Sequence, residues 1–150
     1  MIHATTLTVG HASAAPLVLT DALSFWGGVD DEGTIVDRGH RQYGESVAGR
    51  VLVLPAGKGS SSSSSVLAEL IRNGSGPTGI VLGATDAIIA LGALVAEELY
   101  DIRTPVVVTN DFAGIPRTGI VQVDAWADRA TIGWANSEDA GASAEPGATE

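Results

Sequence analysis

The stretch VLVLPAGKGSSSSSSVLAE, residues 51–69, decides how this chain is read. Val51, Leu52, Val53 and Leu54 form an unbroken apolar run, the signature of a short strand buried on both faces. Beyond six consecutive serines, Val66, Leu67, Leu70 and Ile71 fall at helical spacing and predict a helix over residues 63–73. A strand that passes through a Gly/Ser turn into a helix gathers free backbone N–H groups and the positive end of the helix dipole at one point. Such a turn suits an anion, or a hydroxyl that is losing its proton. A serine run alone reads more simply as a flexible linker, but the strand before it and the helix after it favour a built turn.

The pattern continues outward on both sides. Asn73-Gly74 is a left-handed helix stop, residues 79–82 form a second apolar run, and Asp86 is a good N-cap for a helix over residues 87–100. In that helix Ile88, Leu91, Leu94, Val95 and Leu99 share one broad face, which is read as core rather than interface, with Glu97 and Glu98 elsewhere. Pro105 introduces a third strand over residues 106–109. The order strand–helix–strand–helix–strand predicts a parallel sheet with right-handed crossovers. The turns at 57–65, 83–86 and 109–112 are then expected to meet at the carboxyl edge of that sheet, where open α/β sheets carry their active groups.

Upstream, residues 5–9 and 16–20 read as strands separated by a turn at 10–15. LSFWGGVD, residues 23–30, reads as a core aromatic pair, Phe25 and Trp26, followed by a Gly27-Gly28 turn; residues 34–36 are a further short strand and 39–46 a loop. Downstream, residues 120–123 and 131–134 are short strands expected to pair with the N-terminal ones. The fold class is therefore α/β, a small parallel βαβαβ core with an N-terminal β layer, filling residues 1–135. The Ala/Gly/Ser/Glu-rich stretch 136–150 has no apolar periodicity and is expected to be a disordered acidic tail.

Composition narrows the chemistry. The 150 residues suit one domain with a real core. Eighteen acidic against eight basic residues give a net charge of −10, which disfavours binding to nucleic acid or an anionic membrane surface. The single lysine, Lys58, lies inside the Gly/Ser turn. No apolar run reaches the length of about eighteen residues that a membrane span needs. The start MIHATTLTVGHASAA lacks the basic and apolar regions of a secretory signal, so a cytoplasmic protein is expected. There is no cysteine, and His3, His11 and His40 show no metal-ligand spacing, so any metal in the working system is expected on another chain. AGKGSSS is not a phosphate loop, because Gly59 follows Lys58 where Ser or Thr is required. G-x-S-x-G is missing too, and Asp30, Asp31 and Glu32 beside Gly33 read as an exposed acidic turn.

Taken together, LSFWGGVD, then GRVLVLPAGKGSSSSSSVLAELIRNGSGP, then GATDAIIALGALVAEELYDIRTPVVV resemble the small subunit of the aconitase X family. The resemblance runs from about residue 10 to 123, in the family's order and spacing. It implies the swivelling β/β/α domain of aconitases, with a separate large subunit carrying an iron or iron–sulfur centre and no cofactor on this chain. It also implies a hydro-lyase that dehydrates a small hydroxy acid. In aconitase-like enzymes a serine of the G-x-G-S-S turn takes the substrate proton as an alkoxide. Carried over, that turn is Gly57, Lys58, Gly59, Ser60 and Ser61, with Ser60 as the base and Ser61 and the turn amides holding the substrate carboxylate or stabilising the alkoxide. Six identical letters leave that register open by one. Aconitases proper have arginine where this chain has Ser62, so carboxylate recognition must differ there. Ser24, Trp26 and Gly27 match the family's SFWGG, and His40 matches a histidine of the following loop; they are pocket candidates, with packing as the competing role. The family's known substrates are cis-3-hydroxy-L-proline, favoured here, and mevalonate 5-phosphate. A stand-alone anion-binding or regulatory domain, or a purely structural one, is the competing class.

Overall fold

The computed structural model describes residues 1–135, so the tail expected beyond them lies outside the described residues. The central strands have two apolar faces, and each face builds its own core. In β4 (Val51–Leu54), β5 (Gly79–Leu82) and β6 (Val106–Val108), alternate residues point to opposite sides. Leu52, Leu54, Ile80, Leu82 and Val106 face α2 (Ser63–Asn73) and α3 (Ala87–Tyr100), meeting Leu67, Leu70, Ile71 and Ile89. Val51, Val53, Val81 and Val107 face the other way, against Val121, Val123, Ala125, Ala130 and Ile132. Burying such a side chain is worth about 1.5–3 kcal/mol, so both layers are strongly held.

The second core belongs to β7 (Ile120–Ala125) and β8 (Ala130–Ala135), which form an antiparallel hairpin. With β1 (Ile2–Thr8), β2 (Gly10–Ala14) and β3 (Pro16–Val18) they complete one eight-stranded sheet in the order β2-β7-β8-β1-β6-β5-β4-β3. β1 is the strand both halves share. Ile2, His3 and Ala4 pair with β8, and after them Thr5, Thr6 and Thr8 pair with β6, with a register irregularity between Thr6 and Thr8. The antiparallel half lies over one face of the parallel half, bringing β2 and β7 against β4, while the helices cover the opposite face. The result is the expected β/β/α layering.

Several expectations change in detail. Residues 10–15 are not a turn: Gly10–Ala14 is β2, an edge strand paired with β7, whose inward residues are only Ala12 and Ala14 and therefore gave no hydrophobic signal. Pro16–Val18 does not join the N-terminal layer but pairs in parallel with β4, adding a fourth parallel strand. Residues 34–36 make only isolated bridges, Val29 to Ile35 and Thr34 to Ser46. Trp26 is exposed rather than core; Phe25, in the broken helical turn α1 (Phe25–Gly28), is the buried partner. In α3 the buried face is Ile89, Gly92, Ala93 and Ala96; of the bulky face expected in the core, Val95 packs partly against it and Ile88 is half-buried, but Leu91, Leu94 and Leu99 point outward. The two helix ends are as read. Asp86 Oδ1 accepts from the Ile88 and Ile89 amides at 2.9 Å each, and Gly74, at φ 82°, closes α2. The acidic turn is also as read, with Asp30 Oδ1 accepting from the Glu32 and Thr34 amides. No helix of the described residues is long and apolar enough to cross a membrane.

Candidate active site

The turn after β4 is tied down on two sides. The Lys58 amide donates to the Leu23 carbonyl at 3.1 Å and the Leu23 amide to the Ala56 carbonyl at 3.2 Å, so the LSFWGG segment and the turn lie side by side. Gly59 has φ 91° and sits so close to Ser24 Oγ that a Cβ there would collide with it. Gly57 packs on α3, where a Cβ would fall 2.5 Å from Asp86 Oδ2 and 2.7 Å from Ile89 Cδ1. Both glycines of G-K-G are therefore required by close approach, one to each neighbouring element.

The serine run is the start of α2. The Ser63, Ser64 and Ser65 amides donate to the carbonyls of Ser60, Ser61 and Ser62 at 3.0–3.2 Å, winding a tight first turn. Among the described residues the amides of Gly59, Ser60 and Ser61 have no acceptor, which leaves them free at the positive end of the helix. The six hydroxyls differ in use. Ser60 is half-buried, and its Oγ accepts from the Ser62 amide at 3.0 Å. Ser61 and Ser62 are exposed, and Ser64 Oγ donates to the Ser61 carbonyl. Ser63 is buried and its Oγ accepts from the Trp26 amide at 3.1 Å, locking α1 to α2.

These contacts surround a cavity of about 240 Å³ lined by Leu23, Phe25, Gly57, Lys58, Gly59 and Ser63, with Asp86, Ile88 and Ile89 closing the α3 side. Gly57, Lys58 and Gly59 line it together, whereas Ser24, Ser60, Ser61 and Ser62 are not among its lining residues; Ser24 packs behind Gly59, and the three serines follow Gly59 in the chain. Ser24 Oγ itself donates to the Trp26 carbonyl at 2.8 Å. Gly27, at φ 82°, is exposed and does not line the cavity. His40 is not brought to it either. Its Nδ1 accepts from the Gln42 amide at 3.0 Å, and its Nε2 is buried without a partner in the loop that docks on Asp21 through Arg41. Of the three turns expected at one edge, Gly83 packs on Phe112, yet the 109–111 segment lines a separate, more open groove of about 360 Å³ with His3 and Thr5.

Sequence reasoning missed Ser63 and gave Asp86 only a capping role. The helical spacing Ser63–Leu67–Leu70 could have singled out Ser63, because it places that serine on the buried face. Asp86 serves twice: Oδ1 caps α3, while the side chain lines the cavity with Oδ2 toward Gly57.

This geometry sits in a chain whose residues 1–132 match the family model described as the aconitase X swivel domain. The chain belongs to the aconitase X swivel-domain family. The crystal structure of Thermococcus kodakaraensis aconitase X in its holo-form superposes on the swivel domain with a TM-score of 0.76 at 33% identity, over 88% of this chain and 98% of that one. Two kinds of named relative are similar in sequence. The cis-3-hydroxy-L-proline dehydratase of Pseudomonas aeruginosa is 47% identical over 102 residues, 67% of this chain but only 18% of that protein's length. The phosphomevalonate dehydratase small subunit of Archaeoglobus fulgidus is 47% identical over 98 residues, 65% of this chain and 74% of that one. The swivel domain's own residues do not fit a metal centre: the described residues include no group of three or more His, Asp or Glu that could hold an ion, and the sequence has no cysteine.

Proposed function

We propose that this chain is the small subunit of an aconitase X-type hydro-lyase, in which Ser60 takes the proton as water is lost from a small hydroxy acid. The observation that carries this reading is the Ser60 environment. A serine serves as base only where its alkoxide is strongly stabilised. Ser60 Oγ already accepts one amide hydrogen bond, from Ser62, and lies beside the free amides of Gly59, Ser60 and Ser61 at a helix start. A charge-assisted bond of that kind strengthens as the hydroxyl ionises. Ser61, Ser62 and the remaining amides, with Lys58, would hold the substrate carboxylate; Ser24 and Gly27 would shape the turn, and His40 would support the adjoining loop.

In the step proposed, the substrate C–H proton passes to the Ser60 alkoxide, the electron pair forms the new double bond, and the hydroxyl on the neighbouring carbon leaves as hydroxide, which takes the proton back from Ser60 and departs as water. Help for that leaving group would come from an iron-bearing large subunit joined to this chain as a heterodimer. Cis-3-hydroxy-L-proline is the favoured substrate. Asp86 places a carboxylate on the cavity wall, which complements an ammonium group and opposes a phosphate.

The test is co-purification with the large subunit of the same organism, followed by an ultraviolet assay on cis-3-hydroxy-L-proline and mevalonate 5-phosphate. Consumption of the first is expected. Consumption of the second alone would move the substrate to the phosphomevalonate branch, and failure to form any complex would favour a stand-alone anion-binding domain. Within the complex, Ser60→Ala should lower kcat about 10³-fold, the scale of a lost general base, with affinity for the large subunit unchanged. Full activity in that variant would remove Ser60 as the base.

A further inference from the structure

We propose that the outward face of α3, beginning at the mouth of the serine-turn cavity, is where the large subunit docks. The proposal rests on the small-subunit reading above and names the surface through which that partner completes the site. Leu91, Leu94 and Leu99 are 51%, 45% and 67% exposed, on a helix whose buried face is Ile89, Gly92, Ala93 and Ala96. A surface helix ordinarily turns its bulkiest side chains inward; here Ile89 does so, but three leucines form an apolar stripe facing water, the mark of an interaction surface.

The stripe is continuous with the site. A shallow apolar groove of about 490 Å³ is lined by Leu7, Ala87, Ala90, Leu91 and Leu94 together with Asp86, which also lines the active cavity. The other wall of the cavity repeats the arrangement: Phe25 lines it, and the adjacent Trp26 is 57% exposed. A body that closes over the cavity mouth therefore meets large apolar side chains on both elements that form it. A buried tryptophan anchor ringed by contacts that exclude water is a common source of strength in such interfaces.

The occupant follows by chemistry. The stretch 136–150 of this chain contains no Leu, Ile, Val, Met, Phe, Tyr or Trp and cannot fill an apolar groove. A second copy is opposed by charge: each copy carries −10, and α3 holds Glu97 and Glu98 with no Lys or Arg. Arg103 engages Glu97 at 3.1 Å, leaving Glu98 and Asp101 without an ion-pair partner among the described residues. The fitting partner presents an apolar patch rimmed by basic residues, and the protein that must come to this cavity is the large subunit.

The test compares the wild-type chain with Leu91→Gln/Leu94→Gln, a change that keeps helix propensity, for binding to the co-expressed large subunit. The dissociation constant should rise about 100-fold while the melting temperature of the isolated chain stays the same. Unchanged affinity would overturn the docking face. Hydroxyl-radical footprinting of the wild-type complex checks the same surface without any substitution: oxidation of Leu91, Leu94 and Trp26 should fall on binding, and unprotected side chains would overturn the proposal even if the variant misfolds. A wild-type chain that binds no large subunit would instead remove the small-subunit reading. Self-association lost in the variant, with large-subunit binding intact, would give the face to a second copy.

Discussion

Helices α2 and α3 lie side by side over the same sheet, yet they spend their apolar residues in opposite ways. α2 turns Leu67, Leu70 and Ile71 inward and shows water Ser65, Glu69 and Arg72. α3 turns Ile89, Gly92, Ala93 and Ala96 inward and shows water Leu91, Leu94 and Leu99. The reason is the contact between them. A Cβ at Gly92 would lie 2.8 Å from the Ser64 carbonyl oxygen and 3.1 Å from Leu67 Cβ, so the helices touch backbone to side chain and only one of them can supply bulk. Once α2 supplies it, α3 is small where the two helices meet, and Leu91, Leu94 and Leu99 are left facing water. An apolar stripe on a helix therefore marks where bulk is, and only the neighbouring element decides whether that bulk is core or interface.

The contrast breaks most severely at Leu67. It is fully buried among the strands and helices, so Leu67→Ala should cost about 3 kcal/mol, the usual range for a leucine truncated in a packed core. Urea unfolding of the isolated chain measures it; a loss under about 1 kcal/mol would mean that the α2 side collapses freely and carries little of the domain's stability. Gly92→Ala sharpens the same point from the other helix. Helix propensity alone favours alanine by about 1 kcal/mol, whereas overpacking against Ser64 and Leu67 costs about 1–3 kcal/mol. A net loss of about 1 kcal/mol is expected on this balance, and a more stable variant would show that the two helices separate easily.

This is also where the sequence was and was not legible. Three of the four parallel strands, both helix ends and the Gly/Ser turn could be read because each rests on local rules: an apolar run, Asp86 as a cap, Gly74 at positive φ, and glycines where backbones approach closely. The face of α3 could not, because its burial is set by Leu67 on another helix. β2 escaped for a related reason, since a strand that buries only Ala12 and Ala14 leaves no periodic signal. Within the site, six identical serines carry no information about which one bonds to Trp26 and which accepts from Ser62; that division comes from the helical phase and the docking of α1. Asp86 was found as a cap because capping is local, and missed as a cavity wall because that role depends on Gly57, twenty-nine positions earlier in the chain.

The smallest effect belongs to the same contrast drawn between two adjacent residues. Phe25 and Trp26 read alike as a core pair, but the Ser24–Gly28 segment breaks its helical path at Trp26, with ψ 109°, and at Gly27, with φ 82°, so consecutive side chains diverge. Phe25 enters the core beside Leu23, and Trp26 stands in solvent with only its backbone engaged, its amide to Ser63 Oγ and its carbonyl to Ser24 Oγ. Both of those bonds survive truncation of the indole. Trp26→Ala should therefore change the stability of the isolated chain by no more than about 0.5 kcal/mol, as for other exposed sites. Thermal unfolding of the two proteins at matched concentration checks this. A loss beyond about 1.5 kcal/mol, the scale of a buried side chain, would put the indole back in the core and make bulk and burial coincide here after all. An unchanged melting temperature leaves a large aromatic beside the serine-turn cavity that contributes nothing to folding, the same outcome expected for Leu91 and Leu94 on α3.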